Sequence, residues 1–476
     1  MSEHQNLTAA LEELRGAVGE KNVHTAVEKR MVYSFDSTFQ NHLPDVVVKP
    51  HTVEEAATVV KIAGKYQIPL TVRGAGTCLS GGPVALEGGI LMEMTAFKRI
   101  LEVNADEQYA VVEPGVVTND LIAAAAKKGL FYPPDPSSSG MSTLGGNVAE
   151  CAGGGRGVKY GVTRDYVLEL ELILADGEII TVGNKIDGLT GWLDLPMLFT
   201  GSEGTLAVLT RMTLRLLPKP ETIRTALAQY DELDAAARTV SAIISAGVVP
   251  TTIEIMDQMT IRAVENFLQI GLDTSKAAFV LLEVDGEGWE VEQQLNQVIR
   301  ICKENGAVEI QVAHNEEERA ALWKARKSIS GACGKINPTK IGEDIAVPPG
   351  NIPKMIQAVK EIAEKYKLNM VVFGHAGDGN LHPNIMTDKR NAEEMVRVNQ
   401  AIDELFARAL ELGGTLSGEH GIGFMKAPYL LQELGREGYL AQKAVKDGLD
   451  PAGFLNPGKI FIEKELNEKN KEVSHG

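Results

Sequence analysis

Two short stretches of this 476-residue chain hold the side chains best suited to chemistry. The first, residues 371–384 (VVFGHAGDGNLHPN), reads as a strand, a tight Gly/Asp/Asn turn and a return strand. Such a hairpin brings His375 and His382 near each other at its open end. The second, residues 414–423 (GTLSGEHGIG), presents the Glu419 carboxylate and the His420 imidazole among glycines. Two histidines and a carboxylate are a recurrent set for a divalent metal with open positions. A lone histidine is more often a surface or satisfied core residue, so the metal reading rests on the grouping.

Glycine supplies the second signal, because its 48 residues concentrate at 74–89, 140–161, 201–204 and 413–423. Scattered glycine marks turns, whereas clustered glycine brings backbone close to a ligand. Arg73-Gly74-Ala75-Gly76-Thr77-Cys78-Leu79-Ser80-Gly81-Gly82 follows a strand directly, and small residues there let successive N–H groups point into one pyrophosphate-sized concavity. The dinucleotide fingerprint fails, because Leu79 takes the sixth position from Gly74 and Pro83 follows. Alone, this loop would more often be a structural turn. A second cluster runs from Pro133 to Asp165 through Gly145-Gly146 and Gly153-Gly154-Gly155, and a third is Thr200-Gly201-Ser202-Glu203-Gly204-Thr205-Leu206. Prolines stiffen the approach, hydroxyls offer hydrogen bonds, and glycines leave room for a flat ring.

These three clusters, in this order, resemble the FAD-binding domain of the vanillyl-alcohol oxidase / p-cresol methylhydroxylase superfamily. They look most like the catalytic subunit of glycolate oxidase and the related D-lactate and D-2-hydroxyglutarate dehydrogenases, from about Tyr33 to Phe461. The resemblance implies that Arg73, Gly74, Ala75, Gly76, Thr77, Cys78, Ser80 and Gly81 hold the FAD pyrophosphate. It implies that Pro134, Asp135, Ser138, Ser142, Thr143, Gly145, Gly146, Asn147, Ala149, Cys151 and Ala152 line the isoalloxazine and ribityl chain. Tyr160, Gly161 and Asn456 join the cofactor set, and Gly204, Leu206 and Val208 help hold the adenine end. Members with covalent flavin carry a histidine where this chain has Thr77, so the FAD is expected to be non-covalent.

The same resemblance makes His375, His382 and Glu419 ligands of a divalent metal (zinc, iron or manganese), His420 the base and Asn384 a substrate contact. Arg326, in the segment Ala321-Leu322-Trp323-Lys324-Ala325-Arg326, falls where an arginine grips the substrate carboxylate. An ordinary solvent-facing arginine in a charged helix is the alternative. Relatives that take a dicarboxylate place a lysine near Gly342 or Glu343; its absence, with Glu343 and Asp344 beside it, argues for a small monocarboxylate. The implied reaction is oxidation of a small D-2-hydroxy acid, D-lactate or glycolate, by hydride transfer to flavin. Two rivals are a non-redox flavoenzyme of the alkyl-ether-lipid synthase type and a non-catalytic FAD-holding subunit.

The elements that must position these groups fall into two modules. The first third alternates strands (46–48, 69–72, 100–103, 109–113, 168–174, 179–182) with helices opening at Thr52 and Leu121. From about 221, helical segments (234–246, 257–268, 288–304, 352–366, 389–412) alternate with strands at 278–284, 309–312 and 369–373. The expected fold is α+β: an N-terminal helical segment (1–41), a two-subdomain FAD-binding domain (42–220), a substrate or cap domain (221–415), a C-terminal segment (416–465) packing back, and a frayed tail (466–476).

Composition sets the partners. A net charge of −17 repels phosphate backbones and argues against nucleic acid. It also repels an anionic substrate, so the metal and Arg326 must create a locally positive site. No stretch reaches the ~18 apolar residues of a membrane span and the start lacks a signal peptide, so a soluble cytoplasmic protein is expected. Cys78, Cys151, Cys302 and Cys333 are too scattered for a disulfide framework or an iron–sulfur centre. With no cluster and no nicotinamide fingerprint, reduced FAD needs a separate acceptor: an electron-transfer flavoprotein heterodimer, or an iron–sulfur subunit.

Overall fold

The computed structural model describes residues 3–38, 40–185 and 193–462. The chain divides into two compact units: Met1–Ala152, Val162–Lys219 and His420–Gly476 form one, Gly153–Gly161 and Pro220–Glu419 the other. The tail expected to fray lies outside the described residues.

In the first unit, Val46–Val48, Ile90–Glu93 and Leu70–Arg73 pair in parallel, and Val23–His24 adds an antiparallel edge. Their side chains are almost all buried, which is why they read as apolar runs without alternation. Helix Val53–Tyr66 covers them with Ala56, Val59, Val60 and Ala63, and starts where the Thr52 hydroxyl accepts the Glu55 N–H. A second, antiparallel sheet runs in the order Ile100–Asn104, Tyr109–Val112, Val208–Arg215, Val167–Ile173, Ile179–Gly183. Its own core gathers Leu121, Tyr132, Leu144, Val148, Leu170 and Met212.

The C-terminal segment returns to the first sheet: the Leu70 N–H donates to the Phe454 carbonyl and the Asn456 N–H to the Leu70 carbonyl. Its helix Ala427–Leu449, interrupted at Gly435 (φ 67°), was hidden in the sequence by glycine and proline punctuation. Pro428 costs nothing there, since a first-turn N–H has no partner within a helix.

The second unit is built on an antiparallel sheet ordered Ala307–Val312, Thr222–Tyr230, Ala278–Gly286, Thr252–Asp257, Asn369–His375, Asn380–Thr387, Thr339–Gly342, with Ile345–Ala346 also pairing to Asn380–Thr387. Strands Thr252–Asp257 and Asn380–Thr387 are buried throughout, so they too lack alternation. Asp257 caps helix Gln258–Leu268 and Asn391 caps Ala392–Glu411, which sets the latter's start after the expected residue 389. Among the described residues no helix is long and apolar enough to cross a membrane.

Candidate active site and cofactor cradle

The hairpin joins Asn369–His375 to Asn380–Thr387 with Phe373 opposite His382 and His375 opposite Asn380. The two histidines therefore sit at the turn end of the hairpin, not its open end, because His375 is the last residue before the turn. They are diagonal neighbours on one face, with ring centroids 5.1 Å apart and nearly perpendicular planes. Glu419 completes the group: its Oε1 lies 3.1 Å from His375 Nε2 and 3.4 Å from His382 Nε2. Donor atoms from all three residues lie within 4.8 Å of one another.

Two carboxylates that the sequence did not assign to this group hold it. Glu254, in the buried strand Thr252–Asp257, takes His375 Nδ1 at 2.5 Å on one oxygen and Arg326 Nε at 2.6 Å on the other. Asp344, with 0% exposure, accepts the Gly418 and Glu419 N–H groups and the Ser417 hydroxyl on Oδ2, and the Asn380 amide on Oδ1. Its Oδ1 also lies 3.6 Å from His382 Nδ1. Asp344 thus braces the loop that carries Glu419. A charge inside the otherwise apolar run Ile253-Glu254-Ile255-Met256 was the available signal for Glu254.

The electrostatics follow from burial against pairing. Burial opposes a charge on His375, yet Glu254 and Glu419 outweigh it and hold the pKa well above the usual histidine value. Burial would likewise raise Glu419, but His375 and His382 hold it well below the usual carboxylate range. With Nδ1–H directed at Glu254, the neutral His375 ring turns a lone pair from Nε2 toward an acceptor-only oxygen of Glu419. That arrangement needs a proton or a cation between them, and the two imidazole nitrogens plus one oxygen suit a divalent cation.

Arg326 is 6% exposed and packs over the Phe373 ring, so it is no surface residue of a charged helix. Among the described residues only its Nε is hydrogen-bonded, which leaves the two terminal nitrogens for an incoming group. Asn384 is buried and donates to the His382 carbonyl. A Cβ on Gly342 would sit 2.6 Å from Asn384 Oδ1, so a lysine at position 342 would displace that amide. The division between the units falls inside the expected C-terminal segment: Glu419 closes the second unit and His420 opens the last stretch of the first.

In the first unit the three glycine clusters, far apart in sequence, meet. A Cβ on Gly74 would strike Thr143 Oγ1 at 2.3 Å, and the Gly201 and Glu203 N–H groups donate to the carbonyls of Val148 and Ala149. Among the described residues, no protein acceptor takes the backbone N–H of any residue from Gly74 to Leu79. An unpaired run of N–H groups fits an anion such as the pyrophosphate of FAD.

The remaining residues expected to meet the cofactor divide. Arg73 and Ser80 are buried in the first loop, with Ala75, Thr77, Cys78 and Gly81 around them. Pro134, Asp135 and Ser138 lie on the irregular approach to Gly145, Gly146 and Ala149 of helix Leu144–Glu150. Ser142 and Asn147 both hydrogen-bond Thr118, and the Ala152 carbonyl accepts the Thr163 hydroxyl. Cys151 is a left-handed helix cap (φ 54°) whose sulfur receives Arg164 Nε at 3.2 Å. Leu206 and Val208 are core residues, and Val208 also pairs with Ile173 in the second sheet. The Asn456 amide nitrogen donates to the Gly82 and Glu203 carbonyls while its oxygen receives Lys459, so this side chain fastens the loops together. Tyr160 and Gly161 fall in the second unit, where Tyr160 donates to the Asp285 carboxylate.

Residues 44–183 match the FAD binding domain family, and residues 219–460 match the FAD linked oxidases, C-terminal domain. The chain is 48% identical to the glycolate oxidase subunit GlcD of Bacillus subtilis (strain 168), covering 95% of this chain and 96% of that protein. It is 35% identical to a D-lactate dehydrogenase of Anaerostipes hadrus, covering 88% and 89%. The fold is shared with p-cresol methylhydroxylase with bound substrate, at TM-score 0.80 and 18% identity over 97% of this chain and 98% of that one.

Proposed function

We propose that this chain, which belongs to the family of FAD-linked oxidases, oxidises a small D-2-hydroxy acid, D-lactate or glycolate, to the 2-oxo acid. The observation that carries the reading is the His375–His382–Glu419 group, its histidines buried and Glu419 partly so, with Arg326 joined to it through Glu254. The names of the two curated relatives point to the same substrate class. Bound FAD supplies the two-electron acceptor. A divalent cation on His375, His382 and Glu419 would supply the positive charge that makes a substrate hydroxyl more acidic. The terminal nitrogens of Arg326 bind the substrate carboxylate, Asn384 orients the bound acid, and His420 takes the hydroxyl proton. Anaerobic mixing with D-lactate and glycolate, with and without chelator, tests this directly. Flavin that stays oxidised with both would favour a non-redox or purely cofactor-holding protein.

Substrate size is set at Gly342. D-lactate-sized acids are expected to be preferred over D-2-hydroxyglutarate, because the glycine pressed against Asn384 leaves no place for a cation to meet a second carboxylate. An unpaired charge in a buried site costs several kcal/mol in effective desolvation. A higher kcat/KM for the dicarboxylate would refute this.

FAD is expected to be held without a covalent bond, since Thr77 offers no imidazole for attachment. Acid precipitation should then leave the yellow colour in the supernatant, and colour in the pellet would count against it. Electrons pass in this reading to a separate protein, an electron-transfer flavoprotein heterodimer, with an iron–sulfur subunit as the other source of an acceptor. Co-purification from the native cell followed by add-back of the partner tests that step. Full turnover with NAD and this chain alone would be fatal to it.

A further inference from the structure

The structure assigns to Glu203 the positioning of the loop that follows His420, an inference that rests on the reading of His420 as proton acceptor. Glu203 is fixed to the cofactor loops through its backbone: its N–H donates to the Ala149 carbonyl, and its own carbonyl receives the Asn456 amide. The side chain leaves those loops and reaches the C-terminal segment. Its Oε1 accepts the Ile422 N–H and its Oε2 the Gly423 N–H, each at 2.6 Å. Both carboxyl oxygens are thereby engaged by the backbone of the loop that follows His420.

The surroundings leave that loop little freedom. At Gly421, φ is +84° and a Cβ would lie 2.3 Å from Glu150 Oε2 and 2.9 Å from Glu203 Oε1. Just beyond, the Phe424 and Met425 N–H groups both donate to the Ser80 carbonyl of the first glycine loop. Residues 422–425 are therefore fastened to the first and third glycine clusters, through Ser80 and Glu203, and His420 lies two residues before the fastening. A base must sit within hydrogen-bond reach of the proton it removes, and an error of about 1 Å can cost ~10²-fold in rate. Glu203 acts through His420 and is not itself a catalytic residue.

The test compares Glu203→Asp and Gly421→Ala with the parent holoenzyme by anaerobic stopped-flow flavin reduction. Shortening the side chain by one methylene keeps the carboxyl chemistry but holds the two N–H groups only if the loop shifts. A methyl at position 421 would press on the Glu150 and Glu203 carboxyls and so displace the same loop while leaving the Glu203 side chain its full length. Both variants are expected to lower the limiting reduction rate ~10–10²-fold, while substrate Kd and FAD content stay within about twofold of the parent. Parental reduction rates in both variants would overturn the inference, as would FAD loss in proportion to the rate, which would return Glu203 to the cofactor cradle. His420→Ala run alongside separates the two readings: if it reduces flavin at the parental rate, the proton-acceptor reading itself has failed. If it is slow and Glu203→Asp is not, only the positioning role has failed.

Discussion

His420→Ala is expected to purify with a full complement of FAD and to reduce that flavin ~10²–10⁴-fold more slowly with D-lactate than the parent. The two halves of this expectation have different origins. FAD should stay because His420 is outside the three glycine clusters, whose mutual hydrogen bonds and open N–H run do not involve it. The rate should fall because the backbone on either side of His420 is held with unusual care: Asp344 takes the Glu419 N–H before it, and Glu203 takes the Ile422 and Gly423 N–H groups after it. Fixing a side chain from both flanks is what removal of a proton in one geometry requires. The flavin absorbance change after anaerobic mixing reads the outcome. A variant that bleaches at the parental rate would leave the hydroxyl proton to another acceptor.

The sequence showed the fold wherever burial and hydrogen bonding were local. Ala56, Val59, Val60 and Ala63 face the core as their spacing implies, and Thr52 caps their helix. The helix Ala427–Leu449 escaped notice because its glycines and Pro428 carry turn signals that tertiary packing overrides, Lys446 tying it to the carbonyls of Thr205 and Leu455. In the site, the legible residues were those in short glycine-framed motifs: His375, His382, Glu419 and His420. The carboxylates that hold them, Glu254, Asp344 and Glu203, come from segments remote in sequence, and no local spacing relates Glu254 to His375 across 121 residues. Single carboxylates in apolar or glycine-rich company were the trace they left. Leu206, Val208 and Asn456 also have packing roles that their glycine-rich surroundings did not announce: two side chains lie in the core and the third fastens loops.

His375→Ala is expected to abolish metal binding and activity together while leaving FAD bound. The parent should hold one divalent metal per chain, measurable by elemental mass spectrometry, and chelation should stop flavin bleaching until metal is restored. His375 is the ligand with the most to lose, since its ring also joins Glu419 to the Glu254–Arg326 pair. Its removal strips Glu419 of its closest positive partner in a buried position, a loss of the kind that costs ~3–5 kcal/mol. Glu254→Gln tests the outer contact when read by metal affinity, since it also loosens Arg326: the ring keeps its Nε2 but loses the carboxylate that orients it, so metal affinity should fall ~10–10²-fold instead of vanishing. The sign of the pH effect follows from the paired charges. In the metal-free protein the His375 pKa is held well above the usual histidine value, so near neutral pH a proton occupies Nε2 and must leave when metal binds. Metal affinity is therefore expected to weaken as pH falls through the neutral range, and calorimetry in buffers of different ionisation enthalpy should register about one proton released per metal bound. A parent protein without stoichiometric metal, fully active in chelator, would show that the proton alone bridges His375 and Glu419, and that the three residues hold charge for the substrate and not for a cation.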